Sequence, residues 1–83
     1  MMILSFSMKG IDFEFQILHV SIEYPLIELE FEDVQALHHF ESIIKDFNFN
    51  GDGVAESIKT EYEKTTISFP VEFINRLKLE VEE

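Results

Sequence analysis

IDFEFQILHVSIEYPLIELEFE, residues 11–32, decides the fold, because hydrophobic and polar residues alternate along almost all of it. Alternation with a period of two is typical of a β-strand that buries one face. The first apolar set is Ile11, Phe13, Phe15 and Ile17. The phase then shifts by one position, and the second set is Leu18, Val20, Ile22 and Tyr24. A phase shift inside a strand predicts a β-bulge or a change of face.

Further strands flank this one on both sides. Pro25 cannot donate a ladder hydrogen bond, so it ends the run or lies on an edge. The strand after it has its apolar side chains on one face and its acidic ones on the other: Ile27, Leu29 and Phe31 against Glu28, Glu30 and Glu32. Towards the N-terminus, Leu4, Phe6 and Met8 alternate with serines, and Lys9-Gly10 predicts a tight turn.

Residues 33–47, DVQALHHFESIIKDF, predict an amphipathic helix. At about 100° per residue, the apolar side chains cover one half of the helical wheel. They are Val34, Ala36, Leu37, Phe40, Ile43, Ile44 and Phe47. Asp33 precedes them and suits the N-cap position, where its carboxylate accepts backbone N–H bonds.

The C-terminal third fits more than one local structure. In residues 54–64, Ile58, Thr60 and Tyr62 alternate as in a strand, while Ala55, Ile58 and Tyr62 would share a helix face. We favour a strand, because the β-branched and aromatic TTISF, residues 65–69, follows. Pro70 is expected to end that strand. Residues 71–77 predict a short helical turn or irregular chain, and residues 77–82 a last strand.

These elements predict one α+β domain spanning residues 1–83. It consists of a small, mainly antiparallel sheet of about five strands with one amphipathic helix packed on one face. The sequence contains no Cys, which excludes disulfides and thiol catalysis. It has no apolar run near the ~18 residues needed to span a bilayer, and its N-terminus lacks the basic region of a signal peptide. A cytoplasmic protein without membrane contact is expected.

The net charge of −11 at pH 7, from seventeen Asp and Glu against six Lys and Arg, is the most unusual property of the chain. Such a charge repels nucleic acids and anionic membranes, so direct binding to either is not expected. Acidic disordered chains lack aromatic and β-branched residues, in which this chain is rich. The sequence therefore predicts a folded acidic protein.

Two motifs resemble metal sites without completing one. DFNFNGDGVAE, residues 46–56, has the spacing of a calcium loop, but position 12 is Ser57 or Lys59, depending on the frame, where a bidentate Glu is needed. We expect a turn there, with cation binding as the alternative. His38 and His39 are about 100° apart on a helix and point in different directions. No metal, cofactor or catalytic residue, and hence no enzyme activity, is predicted.

The carboxylates carry the functional hypothesis. On strands, Glu28, Glu30 and Glu32 would share a face, as would Glu61 with Glu63, Glu80 with Glu82, and Asp12 with Glu14. One interpretation is a solvated outer face that favours solubility. The other is a surface that binds a basic protein. The partner-binding residues predicted by the second interpretation are Glu28, Glu30, Glu32, Glu61, Glu63, Glu80 and Glu82.

The sequence thus favours a small interaction protein that binds and inhibits a basic partner. A nuclease or a nucleic-acid-binding defence or toxin protein fits, as for nucleic-acid mimics, immunity proteins and phage anti-defence proteins. The alternative is a structural protein that assembles with copies of itself as a homodimer or larger homo-oligomer. This alternative is favoured because the chain has more Phe residues than one core needs to bury. Those that could be exposed at an interface are Phe47, Phe49 and Phe73.

Overall fold

The computed structural model of the chain describes residues 2–8, 10–46 and 57–83. The fold is α+β, as predicted: one antiparallel sheet with one main helix packed against it. The sheet has six strands, against about five expected. The elements are β1 (Met2–Met8), β2 (Ile11–Glu23), β3 (Leu26–Phe31), α1 (Val34–Asp46), β4 (Lys59–Glu61), β5 (Thr66–Pro70), α2 (Phe73–Leu77) and β6 (Glu80–Glu82). The strand order is β4-β5-β3-β2-β1-β6.

Strand β2 is the centre of the sheet and contains the predicted bulge. Ile17 pairs with Phe31, but His19 pairs with the preceding residue, Glu30. Two residues of β2, Leu18 and His19, therefore lie opposite one residue of β3, which defines a β-bulge. The N-terminal half of β2 pairs with β1 and the C-terminal half with β3.

The turns follow the Gly and Pro positions. Met8 pairs with Ile11, and Gly10 has a φ of 79°, so the tight turn between β1 and β2 is confirmed. A residue with a side chain rarely adopts such a φ, which explains the glycine. Pro25 lies in the turn between β2 and β3, and Pro70 ends β5.

Helix α1 begins where the sequence predicted. The Asp33 carboxylate accepts a hydrogen bond of 2.7 Å from the Ala36 N–H, which confirms the N-cap. Leu37, Phe40 and Ile44 are fully buried against the sheet. The Phe40 ring is central to an aromatic core, with ring centroids 5.1–6.2 Å away in Phe6, Phe15, Phe31 and Phe69.

All the described Phe residues lie in this core or pack against it. Phe73, which the sequence suggested for an exposed surface, is fully buried, because α2 places its ring against Phe69 at a centroid distance of 5.9 Å. Phe47 and Phe49 lie outside the described residues. The expectation that Phe73 is exposed and available for self-assembly is therefore wrong.

Three boundaries differ from the sequence prediction. The strand expected around residues 58–64 is limited to Lys59–Glu61, and Tyr62–Lys64 forms a 3₁₀ turn closed by a 3.2 Å bond from the Thr65 N–H to the Tyr62 carbonyl. β3 ends at Phe31, one residue before Glu32. Leu77 belongs to α2, so the last strand begins only at Glu80.

The candidate calcium loop at residues 46–57 lies, except for Asp46 and Ser57, outside the described residues. Within the described ranges, no helix is both long enough and apolar enough to cross a membrane.

Candidate functional site

The candidate site is the sheet face opposite α1, which we call the outer face. Residues paired across antiparallel strands lie on the same side of a sheet, so the strand register identifies its members. Serine, threonine and acidic residues predominate on it. The acidic residues of the outer face are Asp12, Glu14, Glu23, Glu28, Glu30, Glu61, Glu80 and Glu82.

One group of carboxylates, the β3 patch, comprises Glu28 and Glu30 of β3 with Glu61 of β4. Strand β5 separates them, and its Thr66 pairs with Glu30 on one side and with Glu61 on the other. Strands that are not direct neighbours lie about 10 Å apart, twice the interstrand spacing. The β3 patch therefore extends about 10 Å across the sheet.

A second group, the β6 patch, comprises Asp12 and Glu14 of β2 with Glu80 and Glu82 of β6. Here β1 is the separating strand, and its Ser5 pairs with both Glu14 and Glu80. The Ser7 hydroxyl donates a hydrogen bond to the Asp12 carboxylate. His19 of β2 pairs with Glu30 of the β3 patch, and it lies about 16 Å along the strand from Glu14. The two patches are therefore distinct.

The register keeps like charges apart throughout the outer face. Every acidic residue in the paired strands lies opposite Ser, Thr, His, Ile or Leu, and never opposite another acidic residue. Like charges in direct opposition destabilise a sheet, so this arrangement allows many carboxylates to share one face at low cost. The strands that carry acidic residues share one sheet, as the functional hypothesis requires. Acidic residues on different strands are separated either by a neutral strand or because each is paired with a neutral residue.

Of the depressions lined by described residues, two lie along the outer face. The first, of about 190 Å³, lies beside the β3 patch and is lined by Ser21, Glu23, Leu26, Glu28 and Ser68. The second, of about 380 Å³, lies in the β6 patch and is lined by Ser5, Phe6, Ser7, Asp12, Phe13, Glu14, Lys78 and Glu80. Lys78 brings a positive charge into the second depression, whereas the described residues that line the first are acidic or neutral. The first is thus the more electronegative surface.

Basic groups near the β3 patch are few. Lys64 lies 3.5 Å from the Glu61 carboxylate, and both side chains are exposed to solvent. Lys59 pairs with Ser68, on the far side of β5 from Glu28. In the part of the chain that the structure describes, Glu28 and Glu30 have no Lys or Arg nitrogen within 4 Å. These two carboxylates therefore remain available to an external cation.

Two residues predicted for this surface are not in the paired strands. Glu32 follows the end of β3 and is exposed, and Glu63 lies in the 3₁₀ turn. The expectation that each continues the alternation of its strand is wrong, because the chain leaves the sheet at Phe31 and at Glu61. The other predicted residues, Glu28, Glu30, Glu61, Glu80 and Glu82, share the outer face.

Unlike the acidic residues of the outer face, Glu41 is buried, and the sequence alone did not indicate this. Its side chain is only 10% exposed and lies between α1 and the β4 segment. The Thr60 and Tyr62 hydroxyls donate hydrogen bonds to its two oxygens, and the Lys45 ammonium is 3.4 Å away. Burial alone would raise the pKa of Glu41, but these donors together outweigh it and hold the pKa below its usual value. This carboxylate is part of the scaffold.

The adjacent histidines point in different directions, as predicted. The ring of His39 packs edge-on against Phe13 and Phe15, at centroid distances of 6.3 and 5.5 Å. The His38 ring instead lies near Tyr62, with Nδ1 3.9 Å from Glu41 Oε1. The two imidazoles therefore do not converge on a common ligand.

No model of a protein family, no curated protein and no solved structure matches this chain.

Proposed function

We propose that this protein is a small, non-enzymatic interaction protein that binds a basic protein through the outer face of its sheet and inhibits it. The partner class is a nuclease or another nucleic-acid-binding protein of a defence or toxin system. The electrostatic core of the binding surface is the β3 patch, and the β6 patch extends it.

One observation carries the proposal: the acidic residues of four strands, β2, β3, β4 and β6, share the face opposite α1, and in the described residues no Lys or Arg nitrogen lies within 4 Å of Glu28 or Glu30. Solubility alone would be served by charges scattered over the whole surface. An array on one face of a rigid sheet instead creates a local negative potential that steers a basic partner into contact.

The inhibitory effect follows from the chemistry of the partner. A protein that binds nucleic acid exposes rows of Lys and Arg that contact phosphates. Carboxylates spaced about 7 Å along a strand and about 10 Å across a separating strand offer those cations an alternative set of anions. A basic site occupied by the outer face would be closed to nucleic acid.

The proposal is tested by capture of proteins from a lysate of the source cell on the immobilised chain, with washes at low and then high salt. We expect a basic protein to be retained at low salt and released at high salt, because Coulomb attraction between exposed charges is screened. The captured protein is then assayed for nucleic-acid binding with and without this chain.

A pair of variants makes the test specific. Glu28→Lys with Glu30→Lys should abolish capture, while Glu32→Lys with Glu63→Lys, which changes the net charge equally but off the paired strands, should largely preserve it. Unfolding is checked by circular dichroism. Retention that is insensitive to salt, or equal loss in both variants, would contradict a role for the β3 patch.

A further inference from the structure

Apolar groups cluster at one end of the sheet, where the β2–β3 turn lies beside the turn after β5. We call this cluster the Tyr24 tip: Tyr24, Pro25, Pro70 and Val71. Pro70 and Val71 are half-buried, Pro25 is exposed, and Tyr24 is 86% exposed. Exposure of a large apolar side chain such as Tyr24 to water is unfavourable, and exposed apolar patches commonly mark interaction sites.

The Tyr24 tip is held in shape by its own backbone. The Val71 N–H donates a 2.8 Å hydrogen bond to the Pro25 carbonyl, and Leu26 pairs with Pro70. A shallow depression of about 170 Å³ lies between the two turns and is lined by Tyr24, Pro25, Pro70, Val71 and Glu72. A surface that is already ordered loses little conformational entropy on binding, which favours its use as an anchor.

Carboxylates border the tip on two sides. Glu72 lines this depression, and Glu23 and Glu28 line the 190 Å³ depression beside it on the outer face. Among the described residues that line these two depressions there is no Lys or Arg. A second copy of the chain docked here would place like charges together, whereas a basic partner would neutralise them.

We propose that the Tyr24 tip is the apolar anchor of the partner-binding surface, and that its occupant is a segment of the basic partner protein with an apolar side chain flanked by Lys or Arg. This inference rests on the proposed function and deepens it. The carboxylates attract the partner, and the tip retains it.

The two parts of the surface then govern different rates. Charges at the edge of an interface mainly set the association rate, and a buried aromatic anchor mainly sets the dissociation rate. Tyr is among the residues that most often carry binding energy at the centre of an interface.

The test uses two synthetic peptides of equal charge as probes. One has Leu and Phe between pairs of Arg residues, and the other has Gly and Ser in their place. Binding to the whole protein is measured by fluorescence anisotropy at low salt. We expect the apolar peptide to bind about tenfold more tightly, the equivalent of one good apolar contact.

Variants locate the effect. Tyr24→Ser should remove the preference for the apolar peptide. Ile11→Ser is the matched control, because Ile11 is 57% exposed at the opposite end of β2, and it should retain the preference. Thermal melts of both variants confirm folding.

Each result bears on the proposals differently. Salt-sensitive binding of both peptides with equal affinity, or equal effects of Tyr24→Ser and Ile11→Ser, would overturn the anchor while the acidic surface stands. Failure of both peptides to bind at low salt would overturn the anchor together with the proposed function.

Discussion

Glu41 illustrates how one buried carboxylate joins distant parts of this chain. It lies on α1, yet its hydrogen-bond donors Thr60 and Tyr62 come from β4 and the 3₁₀ turn. A buried carboxylate without donors would be costly, so burial at this position depends on those hydroxyls. The group thereby attaches the edge of the sheet to the helix.

We expect Glu41→Gln to lower the free energy of unfolding by about 1–3 kcal/mol at neutral pH, because a Gln side chain cannot accept both hydroxyl bonds. Urea denaturation measures the difference. Glu61→Gln is the control, since its ion pair with Lys64 is exposed, and it should change stability by less than about 0.5 kcal/mol.

The contribution of Glu41 to the free energy of unfolding should also depend on pH. Its pKa in the folded protein lies below the value of 4.5 for an unperturbed Glu, so the unfolded chain binds the proton more readily. The stabilisation is therefore complete above about pH 4.5 and is lost as the pH falls through the lower, folded-state pKa. The stability difference between the wild type and Glu41→Gln should shrink in that range. A constant difference down to acid pH would contradict the role of the ionised carboxylate.

Tyr62 offers a second measurement of the same contact. Its hydrogen bond to Glu41, together with desolvation and the nearby negative charge, raises the pKa of Tyr62 above the usual 10.0. The chain has two Tyr, so in a Tyr24→Phe background ultraviolet absorbance reports Tyr62 alone. We expect its titration above pH 10.0, with a return towards that value after Glu41→Gln. An unshifted titration would show that the hydrogen bond is absent in solution.

At the scale of elements, the attachment of α1 to the sheet depends on aromatic packing. Phe40 is fully buried among rings from β1, β2, β3 and β5, so it connects strands that are distant in sequence. The apolar stripe of the helix was evident from its 3.6-residue period. The identity of the rings it meets was not, because that depends on how the strands pair.

We expect Phe40→Ala to destabilise the fold by about 3–5 kcal/mol, through lost burial and the cavity left in the core. Val34→Ala is the control on the same helix, because Val34 is 46% exposed, and it should cost less than about 1 kcal/mol. Chemical denaturation of both variants provides the comparison. A similar, small loss in both would mean that α1 is not docked as described.

At the scale of the whole molecule, the net charge of −11 opposes folding through self-repulsion. The short edge strands β4 and β6, of three residues each, together with Glu61, Glu80 and Glu82, limit pairing with other chains. The same negative charge that discourages aggregation thus destabilises the folded state.

We expect the melting temperature to rise with salt. Between about 0.05 M and about 0.5 M NaCl, screening of the carboxylates should add about 0.5–1 kcal/mol, which corresponds to a rise of about 2–8 °C. Differential scanning calorimetry measures the rise. Glu28→Gln with Glu30→Gln removes two negative charges and should reduce the response. A melting temperature that falls with salt would indicate that attractive ion pairs outweigh repulsion.

By itself, the sequence determined much of the local structure of this protein. The bulge at Leu18, the turn at Gly10, the N-cap at Asp33 and the ends at Pro25 and Pro70 all follow from periodicity and backbone geometry over a few residues. It also indicated that the acidic residues of each strand share a face, which holds for Glu28 with Glu30 and for Glu80 with Glu82.

Only the tertiary structure decided which strands are neighbours. It placed the neutral strand β5 between Glu30 and Glu61, and β1 between Glu14 and Glu80. It also buried Glu41 and Phe73 and left Tyr24 exposed. The physical reason is that local patterns depend on a few adjacent residues, whereas strand order and burial depend on contacts between segments far apart in the chain, which are selected by packing of the whole core.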